Sequence, residues 1–461
     1  MYKERHIDLQ VRLVNQLSGR LTLLQPQSDK EIIVEQVLID ILKNDSHGEY
    51  RAIKEELSNE NAKMQFIRDF LSYGIIQDLL CEFDIEDIII NALKPIYIHH
   101  SQKGFIPTDR RFESHKELEL FINKLVLFSG RKGLQRIMNL ELPNLEGRVN
   151  IALSTFGPQL TITKAKLSPL SILDLIQRET LNFEVAAQLW LYIEGMSIRP
   201  TNIIIAGGPG VGKTTLLNAL FSFIPTGDRV VVIEDTLELN TFLDDSCSRL
   251  ESDEELTLAD LVKNSLRMRP ERIVIGEVRG EEARDMMTAA NIGKYCIGTM
   301  HALTSREAII RLQNEPMNIP EMLVNLIDVF IILKRYHVED KIFRVIDEVS
   351  ETSGMEQVKI LLSQVYKYDY DGKKIRAVTP STVFRDRLAH QAGLLPKDII
   401  NELRVRTFAL EQLAQRGHTT MTEVTNFCRA YNHHPQEAIA NLGFDREELL
   451  KKYRKEKEPL R

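Results

Sequence analysis

Residues 207–214 decide the fold, and they read Gly207-Gly208-Pro209-Gly210-Val211-Gly212-Lys213-Thr214. The octet fits the pattern G-x-x-x-x-G-K-[ST] at every fixed position, and its flanks decide whether that fit has meaning. An apolar run at 203–206 precedes it, and a helix-like segment at 215–220 follows it. A strand, a glycine-rich loop and a helix in this order predict a loop that holds a phosphate chain.

The chemistry of such a loop comes from its backbone and from two side chains. Glycines let successive N–H groups converge on phosphate oxygens, and the following helix directs its positive end at the same anion. Lys213 is predicted to reach the β- and γ-phosphates, and the Thr214 hydroxyl is predicted to hold Mg²⁺. ATP and Mg²⁺ are therefore the expected cofactors. The predicted nucleotide-binding residues are Gly207, Gly208, Pro209, Gly210, Val211, Gly212, Lys213, Thr214 and Thr215.

Two acidic clusters follow apolar, strand-like runs elsewhere in the chain. Glu234 and Asp235 follow the run at 230–233, and Glu277 follows the run at 272–275. Ligands of open α/β sheets lie beyond the carboxyl ends of the strands, where both clusters are expected. A lone acid at a strand end is commonly only solvated, but the upstream loop favours a function. Glu277 is the first candidate for polarising the attacking water. Glu234, a second catalytic candidate, or Asp235 would support Mg²⁺ or its water shell.

A histidine and several arginines complete the candidate site. His301 follows another strand-like run, so it is a candidate catalytic residue that senses the γ-phosphate, although a histidine in such a place is often only a satisfied polar side chain. Phosphoryl transfer gains from a cation that a neighbouring subunit brings. The sequence does not decide which arginine does so, and many arginines form salt bridges instead. The candidates for this role are Arg249, Arg267 and Arg279.

The charge and the hydrophobic periodicity of the sequence change along the chain. Charged, helix-periodic sequence at 1–65 predicts a helical N-terminal extension, and short strands with a helix at 66–165 predict a small α+β domain. Residues 166–200 are expected to form a linker with helices. Residues 201–375 alternate strand-like and helix-like runs, which is typical of an α/β domain with a mostly parallel sheet. Residues 380–461 predict a C-terminal helical segment.

Composition narrows the class of protein. The chain has 461 residues, of which 59 are basic and 66 acidic, and its net charge of -7 argues against a protein that coats nucleic acid. Its four cysteines include no CxxC pair, which favours free thiols in a reducing compartment. The sequence has no signal-peptide pattern and no apolar run near the ~20 residues of a membrane-spanning helix. We therefore expect a cytoplasmic protein whose membrane role would come through a partner or its surface.

Several ordered sequence boxes together resemble the type II/IV secretion system ATPase superfamily, whose members drive pilus assembly, archaellum assembly and secretion. The most specific match is the stretch 261–280, whose strand ends in Gly276-Glu277, as it does in this family, rather than in the usual Asp-Glu. The resemblance runs from about residue 70 to residue 360, and the segment 431–436 is more similar to archaeal than to bacterial tails. The other matching stretches are an acidic box at 233–239, an arginine box at 248–251, a histidine box at 298–302, closing strands at 345–349 and 353–356, and N-terminal segments at 73–80, 85–91 and 160–164.

The resemblance implies a fold, an activity and a partner. The fold would be α/β, with a RecA-like P-loop NTPase domain preceded by a small α+β N-terminal domain and with helical N- and C-terminal extensions. The activity would be ATP hydrolysis by a homo-hexameric ring, with ATP between the two domains of each subunit. Hydrolysis would change the angle between these domains, and a polytopic membrane platform protein would pass that motion to a pilus, an archaellum or a secretion system. The chain would then be cytoplasmic and peripheral to the membrane through this partner.

The sequence departs from the family pattern at two places. Lys294 stands where the family has the first histidine of its histidine box, and Cys296 stands where a glycine is usual. Lys164 stands where an arginine is common, so the cation of the N-terminal domain would be Lys164 or Arg148. A lysine there keeps the charge and loses bidentate contact with phosphate. These departures bear on the histidine-box chemistry and on the N-terminal cation.

Two other functions stay open at the level of sequence. A nucleic-acid transfer ATPase of the conjugation type belongs to the same superfamily, but it would need a basic channel with stacking aromatic side chains. The sequence has no strong nucleic-acid signal, and its one tryptophan, Trp190, lies on an apolar helical face. A nucleotide-dependent switch with little turnover is the other alternative, and Lys294 and Cys296 are the residues that favour it.

Overall fold

The chain forms two compact units. The computed structural model describes residues 2–22, 25–45, 48–131, 133–142, 147–164, 169–235, 238–239, 246–252, 255–338, 341–357 and 359–455. One unit, the N-terminal unit, comprises Met1–Leu167 and Asp340–Ile342, and the other, the C-terminal unit, comprises Ser168–Glu339 and Phe343–Arg461. Within the described ranges we find no helix whose length and apolar character would let it cross a membrane.

The N-terminal unit is an antiparallel sheet with helices. Its strands lie in the order β3-β2-β1-β6-β5-β4, and each neighbouring pair is antiparallel. In β5, buried Val149 and Ile151 alternate with exposed Arg148 and Asn150, which gives the sheet one apolar face for its core. The helices are α1 (Tyr2–Leu17), α2 (Gln27–Lys43), α3 (Arg51–Glu56), α4 (Glu60–Leu71), α5 (Gln77–Cys81) and α6 (His115–Phe128). The strands are β1 (Ile85–Asn91), β2 (Tyr97–His100), β3 (Gly104–Pro107), β4 (Ile137–Leu142), β5 (Gly147–Ser154) and β6 (Gly157–Thr163).

The C-terminal unit is built on a 9-stranded sheet in the order β15-β14-β13-β12-β7-β11-β10-β8-β9. Its strands are β7 (Ile203–Gly207), β8 (Val230–Glu234), β9 (Cys247–Glu251), β10 (Arg272–Ile275), β11 (Tyr295–Met300), β12 (Val329–Val338), β13 (Lys341–Glu356), β14 (Lys359–Asp369) and β15 (Lys374–Ala377). Its helices are α7 (Ile172–Gln177), α8 (Phe183–Glu194), α9 (Lys213–Leu220), α10 (Leu258–Ser265), α11 (Glu282–Asn291), α12 (Ser305–Gln313), α13 (Glu321–Val324), α14 (Val383–Ala392), α15 (Pro396–Gln415), α16 (Met421–His433), α17 (Pro435–Asn441) and α18 (Arg446–Lys455).

The parallel part of this sheet, from β12 to β9, positions the predicted site. Every neighbouring pair from β12 through β7, β11, β10 and β8 to β9 is parallel. β7, β8 and β10 are buried along their whole length, which is why they read as continuous Ile and Val runs without alternation. The carboxyl ends of the parallel strands meet at one edge. Gly207 and Glu234 end β7 and β8 there, and Glu277 and His301 come shortly after β10 and β11. The α/β fold with a mostly parallel sheet is therefore confirmed.

The C-terminal helices share an apolar core with the sheet, and a buried charge network lies within that core. Arg406 on α15 donates from Nη2 to Glu194 Oε2 on α8 at 2.6 Å, and from Nε to Glu402 Oε1 at 2.9 Å. Its guanidinium carbon lies 4.7 Å from the centre of the Trp190 ring. Arg446 on α18 donates to the second Glu402 oxygen at 2.5 Å. The network thus fixes α15 and α18 to α8.

Replacement of Arg406 with methionine is expected to destabilise this unit by about 3–5 kcal/mol, because Glu194 would stay buried without its cation. Urea unfolding followed through Trp190, the one tryptophan, measures the effect. Lys451→Met, which removes an exposed cation of α18, is the matched control and should change little. Equal midpoints for the two variants would contradict a structural role for the network.

Candidate active site

The phosphate-loop octet joins β7 to α9, as the sequence predicts. Gly207 ends β7, and Gly212 stands before Lys213 in a left-handed conformation with φ 95°. Gly207 has no room for a side chain, because a Cβ there would lie 2.6 Å from the Leu333 carbonyl oxygen. Gly210 is also left-handed, with φ 65°. The loop therefore keeps a shape that other residues would strain or block.

The other loop residues line the same turn. Pro209 is exposed at its tip, and Val211 is buried beneath it. Thr214 and Thr215 are half-buried in the first turn of α9, where a hydroxyl lies beside the positive end of the helix. Residues 236–237 of the predicted acidic box lie outside the described residues.

The Lys213 ammonium lies against this loop. Its Nζ donates to the carbonyl oxygens of Gly207 and Gly208, at 3.1 Å each. Burial lowers the pKa of Lys213, and the carboxylates of Glu277 and Glu238 oppose that shift. Phosphate oxygens are charged and therefore stronger acceptors than these two carbonyls. The lysine is thus held where a phosphate chain in the loop would meet it.

Three predicted residues form a connected chain at the carboxyl edge of the sheet. His301 Nδ1 lies 3.4 Å from Lys213 Nζ and 3.2 Å from the Gly207 carbonyl oxygen, and its Nε2 lies 3.2 Å from Glu277 Oε1. At this distance Glu277 pairs with the ring when Nε2 carries a proton, since a carboxylate only accepts. In the neutral ring Nδ1 then accepts from Lys213, and in the imidazolium it donates to Gly207. The side chains of His301 and Glu277 are 40% and 37% exposed, so water reaches Glu277.

Glu234 is a buried carboxyl, unlike the solvated acid that a strand end usually carries. Only 3% of it is exposed. Its Oε1 accepts the backbone N–H groups of Glu238 and Leu239 at 3.1 and 3.0 Å, and its Oε2 has no hydrogen-bond partner among the described residues. Burial raises the pKa of Glu234 to about 7. Gly276 packs against it, since a Cβ on Gly276 would lie 2.9 Å from Glu234 Cγ.

Glu234 makes the stability of the nucleotide-free protein depend on pH. Its pKa is raised from 4.5 to about 7, so between these values the folded protein binds its proton more tightly than the unfolded chain. The stabilisation is full below pH 4.5 and is lost as the pH rises through 7. Glu234→Gln cannot ionise, so we expect its free energy of unfolding, relative to the wild type, to rise by about 2–3 kcal/mol between pH 5 and pH 8.

Urea unfolding of both proteins across this pH range tests the prediction for Glu234. The exposed Glu281, changed to glutamine, serves as the control and should show a constant difference from the wild type. A difference for Glu234→Gln that does not change with pH would contradict the raised pKa.

Asp235 and the candidate arginines are arranged separately from the chain of Lys213, His301 and Glu277. The Asp235 carboxylate pairs with Arg279, so both side chains are engaged within one subunit. Arg249 Nη2 lies 4.0 Å from Glu234 Oε2. Arg267 is exposed and forms no hydrogen bond or ion pair with any residue of the described ranges. Its guanidinium is therefore the least engaged of the three.

The two departures in the histidine box lie away from His301. Cys296 is fully buried, and burial raises its pKa to about 12. Lys294 directly precedes β11 and His301 directly follows it, and Cys296 and His301 are about 16 Å apart along the strand. In the N-terminal unit, Lys164 donates to the Leu79 carbonyl oxygen at 3.3 Å. The two histidine-box departures thus contribute no side chain to the group around Glu277.

Two arginines that lie at the loop belong to no sequence motif. Arg344 on β13 donates from Nε to the Gly210 carbonyl oxygen at 2.9 Å. A Cβ on Gly210 would lie 3.5 Å from Nη1 of Arg335, which belongs to β12. Both arginines follow the loop by more than a hundred residues and stand in ordinary strand sequence, so only the folded sheet brings them to it.

The chain is similar to one protein family and to several individual proteins. The family model described as "Type II/IV secretion system protein" matches residues 137–340. MJ1287, an uncharacterized protein of Methanocaldococcus jannaschii, is 32% identical over 57% of this chain and 98% of its own length. MJ0900 of the same archaeon is 31% identical over 76% of this chain and 65% of its own length. The conjugal transfer protein TrbB of Rhizobium radiobacter is 32% identical over 41% of this chain and 61% of its own length.

These matches agree with the order of the sequence motifs described above. The chain spans less than two thirds of MJ0900 and 37% of MJ0781, another relative from this archaeon. MJ1287, which the chain spans almost completely, is archaeal, in agreement with the similarity of residues 431–436 to archaeal tails. With the family model, the near-complete match to MJ1287 and the RecA-like sheet behind its phosphate loop, this chain belongs to the type II/IV secretion system ATPase superfamily.

Proposed function

We propose that this chain hydrolyses ATP as the motor subunit of a pilus, archaellum or secretion machine. The observation that carries the proposal is the connected chain of Lys213, His301 and Glu277 at the mouth of the phosphate loop. A binding protein needs the loop and its lysine. The additional carboxylate, open to water and linked to that lysine through a histidine, is what hydrolysis needs.

Each residue has a role that its contacts support. The loop and Lys213 would hold the β- and γ-phosphates, and Glu277 would polarise the attacking water while His301 fixes its orientation. The Thr214 hydroxyl and the carboxylates of Glu234 or Asp235 are ligand types that suit Mg²⁺. Among the described residues, no group of three or more His, Cys, Asp and Glu side chains could hold a metal ion alone. Mg²⁺ would therefore share its ligands with the phosphates.

Membership of the family supports a proposal about the assembly. We infer a homo-hexamer that acts on a polytopic membrane platform protein, with the chain in the cytoplasm and at the membrane through that partner. The division into a helical extension (1–65), an α+β domain (66–165), a linker (166–200), an ATPase domain (201–375) and a helical segment (380–461) remains part of this proposal.

A second candidate is a nucleic-acid transfer ATPase, because TrbB, a conjugal transfer protein, is 32% identical over 41% of this chain. Affinity for single-stranded DNA that falls steeply with salt would favour it. Lys294 and Cys296 are the residues that would favour a low-turnover switch. Both lie at the far end of β11 from His301, so they give that function little support.

The test of the motor is the rate of ATP hydrolysis per subunit across a dilution series, with Glu277→Gln as the blank. A specific rate that climbs with concentration would support sites completed between subunits. A flat rate above the blank would mean a self-sufficient subunit or a ring that does not dissociate, which sizing would separate. No turnover above the blank would favour the switch, or a motor that is silent without its membrane partner.

Removal of the His301 ring is expected to slow turnover by about tenfold to a hundredfold, because Glu277 would lose the group that orients it. Nucleotide affinity should change little, since the loop keeps Lys213. Steady-state hydrolysis and equilibrium binding of MgADP by His301→Ala measure the two effects. His390→Ala, which alters an exposed histidine of α14, is the control. An unchanged rate would make His301 a structural residue only.

A further inference from the structure

We propose that Arg335 and Arg344 form a cationic wall that the chain adds to its own phosphate loop. Arg344 positions the loop, and Arg335 binds the phosphate chain of a nucleoside triphosphate. The inference rests on the proposed function, because it needs a nucleotide in the loop. It assigns a cation within the subunit, separate from any arginine that a neighbour donates.

β12 is long enough to run beside the phosphate loop. Its pairing with β7 ends where Leu333 faces Gly207, but β12 continues to Val338. The strand therefore extends past the end of β7, beside the loop that begins there. Side chains alternate along a strand, so Arg335 lies on the same face as Leu333, whose carbonyl oxygen already approaches Gly207.

Both arginines lie close to left-handed glycines of the loop, Arg344 to Gly210 and Gly212 and Arg335 to Gly210. Arg344 Nε donates to the Gly210 carbonyl oxygen at 2.9 Å. A Cβ on Gly212 would lie 3.8 Å from Arg344 Cδ, and a Cβ on Gly210 would lie 3.5 Å from Arg335 Nη1. The two side chains thus flank the positions that give the loop its curvature. A hydrogen bond to a loop carbonyl holds the backbone whose N–H groups would contact phosphate.

The charge of Arg335 is available to a ligand. Its side chain is exposed and makes no ion pair or hydrogen bond with the residues that the structure describes. A guanidinium presents a planar fork of donors that matches phosphate oxygens. Arg344 is already bonded to the loop, so its contribution passes through Gly210 and makes it a positioning residue. Arg335 has its donors available and is the residue expected to contact the ligand.

The test compares the affinity of full-length variants for MgADP and for a slowly hydrolysed MgATP analogue by calorimetry. Arg335→Gln is expected to weaken binding about tenfold, as for a lost hydrogen bond between charged groups. Arg335→Lys should recover part of the loss, since it keeps the charge. Arg376→Gln removes a cation from β15, at the far edge of the same sheet, and should leave affinity unchanged.

The positioning role of Arg344 has its own readout. Arg344→Gln is expected to raise the KM for ATP more than it lowers kcat, with an unchanged urea midpoint for the nucleotide-free protein. A lower midpoint with an unchanged KM would show a structural role and overturn this part of the proposal.

The outcomes separate the inference from the function beneath it. If the wild type binds neither ligand, the proposed function fails. If the wild type binds and Arg335→Gln binds equally well, only the cationic wall is overturned. If the loss for Arg335→Gln appears at high protein concentration and vanishes on dilution, Arg335 serves a neighbouring subunit, and the same-chain assignment is overturned.

Discussion

Replacement of Glu277 with glutamine is expected to lower the rate of ATP hydrolysis by about two to four orders of magnitude. Glutamine keeps the size of the side chain, so an oxygen acceptor stays close to His301 Nε2, which lies 3.2 Å from the native carboxylate oxygen. The variant therefore preserves the link to the phosphate loop and loses only the charge that polarises water. Nucleotide affinity should stay close to that of the wild type, because Glu277 does not form the loop.

Hydrolysis and MgADP binding must be measured on the same preparation of Glu277→Gln. Glu281→Gln is the matched control, since it makes the same change at an exposed position close by in sequence. If Glu277→Gln hydrolyses at the normal rate, the assignment of the water-polarising group is wrong, and Glu234 becomes the next candidate.

Replacement of Lys213 with alanine is expected to weaken nucleotide binding by about a hundredfold or more, because two charged hydrogen bonds to phosphate would be lost. In the nucleotide-free protein the ammonium donates to the carbonyl oxygens of Gly207 and Gly208, at 3.1 Å each. These neutral acceptors hold the side chain at the loop without the strength of a charged partner. The variant should thus lose affinity while its fold remains intact.

Calorimetry with MgADP and urea unfolding separate the two effects of Lys213→Ala. Lys397→Ala, an exposed lysine of α15, is the control for the loss of one positive charge. Wild-type affinity in Lys213→Ala would exclude the loop as the nucleotide site. A large loss of stability would instead mean that Lys213 mainly holds the loop together.

The sequence predicts those parts of the site whose residues belong to a contiguous motif or directly follow a strand-like run. The loop 207–214 is a contiguous motif, and Glu234, Glu277 and His301 each follow a strand-like run, so a parallel sheet must gather them at one edge. The contact of His301 with both Lys213 and Glu277 is the structural result of that rule.

The parts that sequence does not predict depend on packing between distant segments. Glu234 follows a strand-like run as Glu277 does, yet it is buried against Gly276. This burial raises its pKa, although the backbone N–H groups of Glu238 and Leu239 oppose the shift. Asp235 reads as a metal ligand, yet its carboxylate pairs with Arg279. Arg335 and Arg344 reach the loop only because β12 lies next to β7 in the sheet and β13 lies next to β12. Such contacts are fixed by tertiary structure and leave no periodic signal.

The close approach of Gly276 to Glu234 also limits how this sequence can drift over evolutionary time. A side chain at 276, such as the aspartate usual before the catalytic glutamate, would collide with Glu234 across one strand pair. The two positions are therefore expected to mutate as a couple, with an acid at one and a small residue at the other. A variant with an acid at 276 would therefore need a smaller residue at 234 to keep this strand pair together.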